Sequence, residues 1–182
     1  MTTGQTTMTM GELLILTMGR TLGLAKGLLG GIDAADFARQ PVGKDGQRVD
    51  TNHPAFVYGH LALYPARVLG MLGMDASDIA CPASYDALFA AGVQCEDDPS
   101  GTKYPPMDEL VTKFDAAYAR LVEVVKGVDD AALSAPIQGN DRYREVFGTV
   151  GGAASFMMHD HLMFHLGQVS AWRRMMGLGS VM

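Results

Sequence analysis

His161 and His165 stand one helical turn apart near the end of a 182-residue chain, within the stretch MMHDHLMFHLGQVSAWRRMMG over residues 157–177. Side chains at i and i+4 share one face of a helix, so the two imidazoles can converge on a point, as metal ligands must. Read alone, HxxxH is a weak motif, and a partly buried, hydrogen-bonded pair is its commoner meaning. A zinc-protease helix is excluded, because Leu162 stands where HExxH places the glutamate that serves as general base. His159 forms an HxH with His161, but on a helix the two project to nearly opposite sides, which separates His159 from a shared ion.

A third ligand has to come from another element. His60 lies on a second long helical stretch, at a position that can face the same interior. With His161 and His165 it would give a three-nitrogen site with one open position, the pattern of a catalytic rather than a structural metal. The carboxylate-bridged di-iron alternative needs ExxH on two helices, and no ExxH occurs. His53, seven residues before His60 and so on nearly the same face, can be a spare ligand or a donor behind the ligands; the expected role for a histidine at a helix start is solvent exposure. Gln168, one turn past His165, can hydrogen-bond a ligand or substrate, or make a helix contact. Tyr64, one turn after His60, can wall the site or pack in the core. Arg67, Arg173 and Arg174 can meet substrate carboxylates, although surface charge and helix capping are their expected duties.

Four amphipathic stretches would position these residues. In the first, over residues 9–29, Leu14, Met18, Thr21, Ala25 and Leu28 form one stripe, and Gly30-Gly31 ends it. A helical turn is expected over 33–40 and a loop over 41–50. The second opens with Asn52 as N-cap and Pro54 in the first turn, and continues through Val57, Leu61, Tyr64, Val68 and Met71. Pro65 removes the hydrogen bond to the Leu61 carbonyl, which predicts a kink just after His60. A long connection, 74–106, holds one short helix over 84–91. The third stretch, 107–126, carries the seam Leu110, Phe114, Ala117, Leu121 and Val124; a further connection over 127–148 has one helical turn at 129–133, and the fourth helix follows. Periodicity therefore predicts an all-α four-helix bundle, an architecture that builds metal sites from facing helices.

The length suits one domain over residues 1–182, with 1–8 a loose polar start. With 14 Lys+Arg against 20 Asp+Glu and no basic run, DNA or RNA binding is disfavoured. Cys81 and Cys95 form no CxxC, which fits a reduced, cytoplasmic protein with inert thiols. The apolar run after Met10 is broken by Glu12, Arg20 and Lys26, so neither a signal peptide nor a membrane span is expected. The 13 methionines read as adaptable core filler.

The block NHPAFVYGHLALYPARVLGMLG, the third-helix seam and the final HLMFHLGQVSAWRRMMGL together resemble the DinB-like (DNA-damage-inducible, YfiT-like) superfamily of metal-dependent bundle proteins. The likeness rests on a GHL-type histidine on helix two and HxxxHxGQ on helix four. It implies His60, His161 and His165 as a metal triad, up-down-down-up connectivity, frequent homodimers and a zinc or nickel ion at one end of the bundle. Some relatives are S-transferases or isomerases using a low-molecular-weight thiol, and others are annotated hydrolases. The long 74–106 connection and the extra His159 depart from the simplest members and bear on substrate choice.

Three neutral imidazoles leave a divalent ion's charge uncompensated, so water or thiol in the open position would lose its proton near neutral pH. That supports either a thiol that attacks a small electrophile or isomerises a cis alkene, or a hydroxide that hydrolyses an ester or amide. The hydroxide reading prefers a nearby base, and the ligand helix offers only Asp160, a quarter-turn or more away. The thiol reading therefore leads. A non-catalytic, stress-linked metal-binding dimerisation module is the alternative from another class, and no catalytic side chain beyond the triad is assigned.

Overall fold

The computed structural model describes residues 7–181, and every regular element among them is helical, apart from two isolated bridges at Val42–Arg48 and Pro136–Thr149. The loose start expected over residues 1–8 falls outside the described residues for 1–6; residues 7–9 carry no helix. Helix α1 (Met10–Leu28) begins with a reciprocal cap in which Thr9 accepts from the Glu12 N–H and the Glu12 side chain accepts from the Thr9 N–H. Its buried stripe is the one the sequence spaces out, Leu14, Met18, Thr21, Ala25 and Leu28.

The second stretch is two helices, α2 (Pro54–Ala62) and α3 (Tyr64–Met71), broken at Leu63. All nine residues of α2 are buried, as befits a helix surrounded by others. Pro65 has no N–H for the Leu61 carbonyl, and the Tyr118 hydroxyl donates to that oxygen instead at 3.3 Å. The expected kink is therefore present, and its freed carbonyl is satisfied from α5 (Met107–Val125). The N-cap corrects the sequence reading: Pro54 is the first helical residue, so His53 caps, its side chain accepting from the Phe56 N–H, while Asn52 turns elsewhere.

Helix α5 packs on α2 and α3 through Leu110, Phe114, Ala117, Tyr118, Leu121 and Val125. The seam ends on Val125, not on Val124, which is only half-buried. The 74–106 connection folds into a 3-10 turn at Ser77–Ile79 and α4 (Ala83–Phe89), which packs on α2. Two short helices, α6 (Asp130–Ser134) and α7 (Asp141–Phe147), occupy the next connection. The sequence indicated only α6. Over residues 150–175 the chain runs as α8 (Val150–Ser155), a π-helical turn (Phe156–Asp160) and α9 (His161–Met175).

Two contacts from α9 tie the chain's ends together. Trp172 Nε1 donates to the Arg39 carbonyl at 2.7 Å, and Arg173 donates to the carbonyls of Leu28 and Gly30 at 2.8 and 2.7 Å. Arg173 is buried and caps the C-terminus of α1, so the surface role expected for it is corrected. Arg174 remains exposed. No helix among the described residues is long and apolar enough to cross a membrane.

Gly59 marks the tightest approach near the site. A methyl group there would lie 2.5–2.6 Å from three ring atoms of Phe89, which is fully buried and cannot swing away. Overpacking costs about 1–3 kcal/mol, and the gain from replacing a helical glycine is at most about 1 kcal/mol. Gly59→Ala is therefore expected to lower unfolding free energy by about 1–2 kcal/mol in urea titrations, whereas Gly70→Ala, which meets nothing within 4 Å, is expected to be neutral or stabilising.

Candidate metal centre

The break after His60 and the π turn before His161 lie opposite each other, and the three histidines meet between them. His161 Nε2 stands 3.2 Å from His60 Nε2 and 3.1 Å from His165 Nε2. The ligand-capable atoms of His60, His161 and His165 all lie within 4.8 Å of one another, the arrangement of a group that could hold a metal ion. An ion bonded to imidazole nitrogens at about 2.0–2.1 Å in tetrahedral geometry separates them by about 3.3 Å. The donor set thus fits a divalent cation in both chemistry and spacing.

Two rings have their outward nitrogen fixed by a partner. His60 Nδ1 donates to the Phe89 carbonyl at 2.6 Å, and His165 Nδ1 donates to Gln168 Oε1 at 2.9 Å. A proton on Nδ1 leaves the Nε2 lone pair directed at the shared point. Gln168 Oε1 is itself steadied by Asn52 Nδ2 at 3.0 Å, which is where the side chain expected to cap α2 has gone. His161 Nδ1 is buried and has no hydrogen-bond partner. Its ring is held by packing, with Tyr64 at 4.2 Å and Phe156 at 5.6 Å between centroids. The Phe156 carbonyl also accepts the His161 backbone N–H, the i to i−5 bond of the π turn.

Burial keeps all three imidazoles neutral. It pushes His60 down to about 4, against the Phe89 carbonyl, with His165 and Arg67 adding to the shift. It pushes His161 down to about 3, helped by His165, His60 and Arg67, and lowers His165 as well. A neutral imidazole is the form that can ligate.

The triad faces a cavity of about 280 Å³, walled by Asn52, Phe56 and Tyr64 and by residues 90–93 that follow α4. Among the described residues, no carboxylate lines it. Asp160 borders the neighbouring cavity beside Phe164, and its Oδ1 accepts from His159 at 3.0 Å. His159 is apart from the triad, as its helical position requires. Tyr64 sits against both His60 and His161, and its phenol is pushed up by burial.

His53 is not exposed. Its Nδ1 accepts the Phe56 N–H at 3.2 Å and its Nε2 donates to the Glu96 carbonyl at 2.9 Å, so both nitrogens are engaged away from the triad. The Phe89 carbonyl and the wall at residues 90–93 left no mark in the sequence, because backbone groups serving a site have no residue type of their own.

A helical protein with three convergent histidines on two facing elements is thus defined. The chain matches the DinB superfamily family model over residues 17–169 and belongs to that superfamily. No curated protein matches it.

Burial lowers His53 from its ordinary 6.5, so the folded chain keeps it neutral while the unfolded chain takes up a proton below that pH. The stability linked to it is complete above pH 6.5 and is lost as the pH falls. His53→Asn keeps an N-cap without this proton. It is expected to lose less unfolding free energy than the wild type between about pH 7 and about pH 5, and equal losses would contradict the assignment.

Proposed function

We propose that the protein is a divalent-metal-dependent enzyme that holds zinc or nickel on His60, His161 and His165 and joins a low-molecular-weight thiol to a small electrophile, or uses it to isomerise one. The observation that carries the reading is the convergence of three neutral imidazoles within 4.8 Å beside a cavity, with His161 at 3.1–3.2 Å from the other two. Bound there, the ion would supply positive charge and an open position at which a thiol loses its proton near neutral pH.

The chain's own residues do the rest. The Phe89 carbonyl and Gln168 hold two rings in the ligating tautomer, and Phe56, stacked 6.2 Å from His60, keeps water from that side. Tyr64, neutral and beside two ligands, can donate a hydrogen bond to a substrate oxygen. In transfer, the thiol sulfur forms the bond to carbon, the leaving group departs with the bonding pair, and the thiol proton balances it. Hydrolysis is the second reading; it is disfavoured because, among the described residues, no carboxylate lines the triad cavity to act as base. A binding module without turnover is the third, and the cavity beside the triad argues against it.

The same reading takes the chain as one domain, with α1, α2–α3, α5 and α8–α9 as the four members of an up-down-down-up bundle, working in the cytoplasm as a homodimer. Packing of α2 on α5 and α9, and of α1 on α9, supports that arrangement.

Elemental analysis of untagged protein tests the metal. About one zinc or nickel ion per chain is expected in the wild type and none in the His161→Ala, His165→Ala double variant; an ion-free wild type after both metals are offered overturns the proposal. Gln168→Leu should keep the fold and weaken metal affinity by roughly 10- to 100-fold in competition with a chromogenic chelator.

A further inference from the structure

Beside the triad lies a second cavity of about 350 Å³ that shares Tyr64 and Ala91 with the first. Its walls combine two arginines, Arg67 from α3 and Arg142 from α7, with the rings of Tyr64, Tyr143, Phe147 and Phe156. Neither arginine has a carboxylate within ion-pair distance among the described residues, whereas Arg39, Arg48, Arg120 and Arg144 each hold one. Among the described residues, no carboxylate lines this cavity either. In a chain of net charge −6, a site with two unneutralised guanidiniums and no acid beside them is a departure that calls for an anion.

The position of Arg67 points the same way. Its guanidinium lies over the Tyr64 ring at 4.5 Å, and Tyr64 in turn contacts His60 and His161. The positive field of Arg67 reaches both of those histidines. Stacking on Tyr64 and a hydrogen bond to the Tyr64 side chain limit the guanidinium's freedom, and its fork keeps further donors for a planar acceptor. Arg142 comes from α7, a helix with no buried residue of its own.

We infer that Arg67 and Arg142 form the carboxylate subsite of the enzyme's electrophilic substrate, and that the substrate's planar unsaturated body lies along the Tyr64, Phe147 and Phe156 rings toward the histidine triad. This inference rests on the triad being the reacting centre. A carboxylate matches the forked donors, flat rings favour a conjugated body over a bulky aliphatic one, and the shared wall at Tyr64 sets the body's other end beside the histidines.

Trans-cinnamate, a planar unsaturated carboxylate, and its uncharged amide are the probes. Binding is measured calorimetrically to the protein as purified and after chelator treatment, with metal content determined on the same samples. Cinnamate is expected to bind at least ten-fold more tightly than cinnamamide, and Arg67→Gln and Arg142→Gln are each expected to weaken cinnamate about ten-fold without changing cinnamamide or metal content. Arg67→Lys should recover part of the loss. Arg142 is exposed, so its variant reports even if Arg67→Gln unfolds. Equal binding of acid and amide, no measurable cinnamate binding, or arginine variants that bind cinnamate as the wild type does would overturn the subsite. If the acid is preferred by a protein that holds no metal even after zinc and nickel are offered, the subsite stands and the metal reading falls; if metal is present but the preference is absent, the reverse holds.

Discussion

Three neutral imidazoles whose nitrogens lie within 4.8 Å of one another, with His161 at hydrogen-bond distance from both others, are a costly arrangement, and much of the local structure holds it. Neutral lone pairs facing each other share no proton between at least one pair, and burial denies them water. Protonation would relieve one contact, but the low pKa values of His60 and His161 close that route at neutral pH. A cation satisfies all three at once. Two irregularities deliver the rings to this point. Pro65 breaks the helical ladder one turn after His60, and the π turn inserts an extra residue per turn just before His161. Each would be a defect in a plain helical core. Both are satisfied locally, by Tyr118 on the Leu61 carbonyl and by the His161 N–H on the Phe156 carbonyl.

The electrostatics of the site run against those of the chain. Acidic residues outnumber basic ones, yet among the described residues none lines the triad cavity or the adjoining arginine cavity. Elsewhere carboxylates are spent structurally: Asp97 takes both Arg39 and Arg48, and Asp98 accepts the N–H groups of Thr102, Lys103 and Tyr104. Those bonds shape the long connection whose neighbouring segment, residues 90–93, walls the triad. Charge is thus used to fold the loops and withheld from the cavity, which leaves the positive groups there free to act on a ligand.

The parts legible in the sequence were those with a side-chain period. The stripe of α1, the α5 seam as far as Leu121, the break at Pro65 and the convergence of His60 with HxxxH all follow from spacing and residue type. What escaped was fixed by tertiary partners. His53 has the local signature of an exposed helix start, but the Glu96 carbonyl and the edge of Tyr104, both from the long connection, bury it. Arg173 looks like a last-turn surface cation, yet two carbonyls at the end of α1 draw it inward. Helix α7 is seven residues with no buried side chain, so its apolar pattern was too weak to register. The π turn had no sequence mark at all.

The three imidazoles are not equivalent, and the difference has a physical origin. His60 and His165 are oriented by hydrogen bonds from Nδ1, a rigid device that also enriches the ring in electron density. His161 lacks such a bond and is oriented by Tyr64, Phe156 and the neighbouring imidazoles. Packing restrains a ring's position more loosely than a short hydrogen bond restrains its rotation. His161 and His165 both border the triad cavity and the one beside Phe164, but only His161 follows directly on the π turn. The site therefore has two fixed donors and one adjustable one, and the adjustable donor lies on the side where the backbone is least regular.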